Sequence, residues 1–164
     1  MNGAVVYIAT LVGIIESSMF MFCGFRLVGF VPTTKSLLAA GAVHAVLVRL
    51  SRHLFYSVWD VVFSAHILVA LALFFTIGYW GFRLSAFVSL AATVLGFMIL
   101  LVGTMGVLLF MPNVTPPLST TQVLGFILLE QSPLLVATVI IARTGFSIVP
   151  RRVAERLGAS EIIR

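Results

Sequence analysis

Five apolar stretches, each close to the length of a bilayer crossing, fill almost the entire chain, and this pattern constrains the fold more than any motif does. They run over about residues 4–25, 37–56, 58–80, 84–111 and 118–142, with short polar separators between them. A spanning helix needs roughly 20 apolar residues, because in hydrocarbon the backbone must satisfy its own hydrogen bonds. Of the 164 residues 61% are hydrophobic and only 9% charged, whereas a soluble domain carries about 25% charged residues. The expected fold is all-α, a polytopic membrane bundle of about five transmembrane helices over residues 1–145 with a basic cytoplasmic tail over 146–164. Five spans leave roughly 60 residues for every loop and tail, too few for a nucleotide-binding, kinase or protease domain of about 100 residues. The expected location is a cell membrane, crossed several times.

The second stretch is the shortest, since Ser51, Arg52 and His53 interrupt it after Leu50. It reaches full thickness only if the helix continues toward Tyr56 with Arg49 and Arg52 snorkelling to the interface. Pro32, Thr33, Thr34 and Lys35 precede it, and Thr34 or Ser36 is expected as its N-cap.

Orientation follows from the ten Lys and Arg residues. With the N-terminus outside and the C-terminus inside, Arg26, Lys35, Arg83, Arg143, Arg151, Arg152, Arg156 and Arg164 are cytoplasmic, and Arg49 and Arg52 lie outside. Eight against two fits the positive-inside rule. A re-entrant second stretch would put four cations outside, a poorer fit. The net charge of +5 is thus explained by cytoplasmic loops and anionic lipid rather than nucleic acid. In the tail, Arg151, Arg152 and Arg156 are expected to contact the lipid surface or a protein partner, on a short helix that Pro150 starts and Val153 and Leu157 stabilise.

Ionisable groups inside a bilayer are costly and therefore informative. Glu16, His66 and Glu130 lie well within expected spans, and Gln131 adds an amide beside Glu130. Each can sense a ligand or signal, carry a proton or ion, or simply hold a neighbouring helix by a hydrogen bond. Pro133 withdraws an amide donor from the fifth helix and is the hinge candidate. His44 and His66 stand on adjacent antiparallel helices, with depths that differ by roughly 6 Å at 1.5 Å per residue. A b-type haem between them is conceivable, against the plainer reading of interhelical hydrogen bonding; otherwise no metal or cofactor is expected.

The lone Cys23 sits among Phe20, Met21, Phe22 and Phe25 without a base beside it, which argues against a nucleophilic thiolate and against an enzyme. Asp60 is expected to be interfacial, within reach of Arg52 or His53. In the fourth stretch Ser85, Ser89 and Thr93, then Ala92, Gly96 and Gly103, form small-residue stripes that let helices approach closely, within the bundle or in a homodimer.

The run Tyr7 to Phe30, with Ile14, Ile15 and Glu16 leading into Gly24, Phe25, Arg26, Leu27, Val28, Gly29 and Phe30, resembles the first helix and turn of a family of membrane sensor domains. These precede the catalytic region in Gram-positive GHKL-type sensor histidine kinases related to peptide quorum-sensing receptors. The short basic-ended second helix, His66 within Ser64 to Leu68, and Glu130 within Leu128 to Pro133 extend the resemblance over about residues 5–145. The tail to Arg164 contains no phospho-accepting histidine and no ATP-binding domain, so kinase activity is not carried over. The resemblance implies a sensor or regulatory module that passes a signal to a partner, such as a kinase. The alternatives are a structural subunit of a larger membrane complex and a small haem- or ion-handling protein.

Overall fold

The structure, a computed structural model, describes residues 3–57, 65–110, 120–149 and 153. It is all-α among these, with α1 (Gly3–Leu27), α2 (Thr34–Ser57), α3 (Ala65–Thr76) running on into a π-turn (Ile77–Gly81), α4 (Ala86–Phe110) and α5 (Thr120–Thr144). Three of them, α1, α2 and α4, contain windows long and apolar enough to cross a membrane. The second helix does continue past Arg52 and His53, as full thickness requires.

Helix α1 is the hub, packed against α2, α4 and α5, while α3 bridges α2 and α4. Two glycines permit this. At Gly29 (φ 84°) the chain turns out of α1 in a left-handed conformation open to glycine at little cost. The turn is a Schellman motif: Phe30 donates its N–H to the Phe25 carbonyl (2.9 Å) and Gly29 to that of Arg26 (3.0 Å), with the Phe25 and Phe30 rings in contact. At Gly24 the backbones of α1 and α4 come so close that a Cβ would collide with the Ala92 carbonyl oxygen and sit 2.9 Å from the Phe74 ring.

The N-cap of α2 is Thr33, one residue earlier than the sequence suggests. Its hydroxyl accepts the Ser36 N–H (3.3 Å), which places Ser36 at the third helical position. At α4 the cap is Ser85, whose hydroxyl accepts the Val88 N–H (3.4 Å).

The α1–α2 turn, the α3–α4 turn and the end of α5 meet at one end of the bundle. Phe25 touches Phe30, Phe74 and Phe82 edge to face, with centroids 4.9 to 5.6 Å apart, so a ring cluster ties both turns to α1 and α3. Such pairs add about 0.5–1.5 kcal/mol each to plain packing, and between membrane helices packing rather than water exclusion drives association. No residue whose burial is described from Tyr7 to Glu16 is buried, whereas from Ser17 to Phe30 most are. Helix α1 is therefore close-packed over the half that holds the two turns and more open over the other.

The small residues of α4 are used within the chain. Ser89 meets Gly78 on the π-turn, Gly96 meets Phe20 and Phe74, and a Cβ on Gly103 would lie 2.8 Å from Pro133. The Phe75 carbonyl, just before the π-turn, accepts the Ser89 hydroxyl (2.6 Å). Helix α5 continues through Pro133 without a break.

Candidate functional site

Where the open half of α1 gives way to the packed half, polar side chains from several helices gather at one level. Ser17 and Ser18 are buried on α1; Ser18 donates to the Ile14 carbonyl one turn back (2.8 Å) and packs onto Gly41 of α2. One turn along α2 from Gly41, His44 is buried and joins three helices. Its Nδ1 lies 3.0 Å from the Ser17 hydroxyl and its Nε2 3.0 Å from the Ala70 carbonyl of α3. A carbonyl can only accept, so Nε2 carries the proton, and in the neutral ring Nδ1 accepts from Ser17.

This arrangement bears on the haem alternative. With both ring nitrogens engaged, His44 has no lone pair left for iron. His66 precedes Ala70 by one turn of α3, about 6 Å at 1.5 Å per residue, so it is displaced from His44 toward the start of α3, opposite in sense to the offset that counting from His53 gives. Among the described residues no group of three or more His, Cys, Asp or Glu side chains is placed to hold a metal ion.

Glu16, half-buried, stands next to Ser17, and His66 is buried in the first turn of α3; both make interactions within the chain. Helix α5 joins the level through its register with α1. The two run parallel, keyed by the Cys23 thiol and Thr138 hydroxyl at 3.3 Å. Glu16 precedes Cys23 by the same two turns, about 10 Å of helix, by which Gln131 precedes Thr138. Gln131 thus stands at the height of Glu16, and its carboxamide oxygen is buried with no hydrogen-bond donor to it among the described residues. An acceptor left so costs about 1–3 kcal/mol. Glu130 lies on α5 beside it; its side chain is outside the described residues, as are Asp60, Arg151, Arg152 and Arg156.

The packed end carries a second polar constellation, which sequence reasoning missed. After α5, Gly145 donates its N–H to the Ile141 carbonyl (3.0 Å), and the chain folds back onto the last residue of α1. The Leu27 carbonyl, with no helical donor of its own, accepts the N–H groups of Ile148 (2.9 Å) and Val149 (3.2 Å), with the Ser147 hydroxyl 3.1 Å away. The start of the tail is thereby clamped to α1. A backbone clamp of this kind has no side-chain signature; Gly145 after an apolar helix was its nearest sequence signal.

Arg26, Lys35, Arg83 and Arg143 all belong to the clamped end, at the termini of α1, α2, the α3–α4 turn and α5. Arg26 also lies over the Phe22 ring, 5.8 Å from its centroid, and Arg26 and Arg143 in their last turns complement the helix dipoles. No protein-family model, curated protein or solved structure matches the chain.

Proposed function

We propose that this protein is a membrane sensor or regulatory module with five transmembrane helices, its N-terminus outside and its tail in the cytoplasm. The polar belt around Glu16, His44, His66 and Gln131 receives the signal, and α1 and α5 carry it to the tail. The observation that carries this reading is the Leu27 clamp, because it couples the tail to the same helix that bears Glu16. The unsatisfied Gln131 oxygen adds a reason for the belt to respond: a donor supplied by a ligand, or by Glu16 on protonation, would relieve its cost. Four cations at the clamped end support the proposed orientation.

A cytoplasmic histidine-kinase core fused after Arg164 of the full chain tests the reading through its basal phosphorylation. Glu16→Gln and Glu130→Gln should each shift that output severalfold with the fusion at unchanged level in the membrane. Output equal to that of the parent in both variants counts against the sensor role and in favour of a structural subunit.

A further inference from the structure

An apolar groove of about 580 Å³ lies between α3 and α4, walled by Leu71, Phe75, Thr76, Leu90, Phe97 and Leu101 among others. It follows α4 from Leu90 to Leu101, about 16 Å at 1.5 Å per residue. Thr93, at its wall, gives its hydroxyl proton to its own helix at Ser89 (2.8 Å) and offers nothing polar to an occupant. The groove ends toward the turn that joins these same two helices, and Arg83 stands in that turn.

Arg83 is the one residue other than glycine at positive φ (51°) among the described residues. The left-handed backbone costs a side-chain-bearing residue roughly 1–2 kcal/mol that glycine avoids, and here it carries an exposed guanidinium. Tyr79 and Trp80, the latter 74% exposed, flank it on the π-turn. Exposed aromatics and cations of this kind mark a membrane interface. Lys35, Arg26 and Arg143 share this end, and no carboxylate side chain is described there.

We infer that the α3–α4 groove and Arg83 together form a site for an anionic glycerophospholipid, an acyl chain in the groove and the phosphate headgroup on the guanidinium. The inference rests on the membrane reading above and names a ligand class for the same bundle. Apolar walls fit a hydrocarbon chain. The guanidinium fork pairs with phosphate oxygens through charge-assisted bonds, and a headgroup with net negative charge gains further from the uncompensated cations.

Native mass spectrometry of the full chain, released from nanodiscs of equal parts phosphatidylglycerol and phosphatidylcholine, reads the site directly. The parent should retain phosphatidylglycerol over phosphatidylcholine by about fivefold, the scale set by one cation at the surface. Arg83→Gln should remove most of the preference and Arg83→Lys restore most of it. Arg83→Gly, which suits the left-handed backbone, should behave as Arg83→Gln and excludes misfolding as the cause. Ala72→Trp, which fills the groove, should reduce retention of both lipids. An unchanged preference in Arg83→Gln and Arg83→Gly overturns the headgroup contact, and unchanged retention in Ala72→Trp overturns the groove. Loss of the chain from the carbonate-washed membrane fraction would instead contradict the membrane reading itself, separately from the lipid site.

Discussion

Gly24→Ala is expected to be among the most damaging of single-methyl additions to this chain. The new Cβ meets the Ala92 carbonyl oxygen, which is backbone and cannot swing aside, and the Phe74 ring at 2.9 Å. Phe74 is itself fully buried between Phe20 and Phe25, with centroids 4.7 and 5.1 Å away, so it has no free rotamer to retreat into. Overpacking of this kind costs about 1–3 kcal/mol, and α1 must separate from α4 to relieve it. The control is Gly125→Ala on α5, where a Cβ meets nothing within 4 Å; there the change should be neutral or stabilise by up to about 1 kcal/mol through helix propensity. Cys23 supplies the readout. It is the only cysteine in the chain and is fully buried in the α1–α5 seam, one residue from Gly24. Its alkylation by a membrane-permeant maleimide should be slow in the parent and in Gly125→Ala and at least tenfold faster in Gly24→Ala, the factor that about 1.4 kcal/mol produces. Equal rates in Gly24→Ala and the parent would mean that the two backbones do not approach as described.

His44→Ala is expected to loosen three helices at once. It removes both bonds of the belt, to Ser17 and to Ala70. Interhelical hydrogen bonds in membranes average only about 0.6 kcal/mol each, so the larger part of the loss comes from the cavity left by a buried ring, and the total should be about 2–4 kcal/mol. His44→Phe separates the two contributions. It keeps a buried ring, slightly larger than imidazole, and the contact with Phe20 (6.0 Å between centroids in the parent) but not the bonds, and should cost about 1 kcal/mol. Stepwise denaturation in mixed micelles, followed by far-ultraviolet circular dichroism, measures both. A loss in His44→Phe as large as in His44→Ala would show that the hydrogen bonds, not the packing, hold the belt.

Much of the architecture was written in the hydropathy pattern, because helix periodicity and bilayer length leave few alternatives for a chain so apolar. The all-α class follows from that alone, whereas the continuation of α2 past His53 was only the condition for a full-thickness span, because Ser51, Arg52 and His53 interrupt the apolar run. The cap at Thr33 was missed by one residue because Thr33, Thr34 and Ser36 offer the same hydroxyl chemistry, and the backbone rather than the side chain chooses among them. The belt was half legible. Glu16, His66 and Gln131 stand out because polarity in a span is costly, and His44 showed as an interhelical residue. Its partners did not: Ser17 is one of two adjacent serines, and Ala70 contributes only a carbonyl. A closer pattern was nonetheless present, since Gly41 and His44 lie one turn apart on α2 and face Ser18 and Ser17 in order. The Leu27 clamp and the left-handed Arg83 lay beyond reach, as both depend on where the chain ends of different helices meet in space.

The central claim is that the polar belt and the tail are coupled through the α1 clamp, and a distance measurement tests it most directly. Nitroxide labels at Lys35→Cys and Val153→Cys, both on exposed positions, in a Cys23→Ser background and lipid nanodiscs, report how the tail sits against the start of α2. Ile148→Pro deletes one of the two N–H groups that Leu27 accepts and should broaden the distribution. Glu16→Gln, about 16 Å up the same helix at 1.5 Å per residue, should shift its mean or its width in the same direction if belt and tail communicate. A distribution in Glu16→Gln that overlays the parent, while Ile148→Pro broadens it, would show a clamp that holds the tail but transmits nothing from the belt, and would contradict the account.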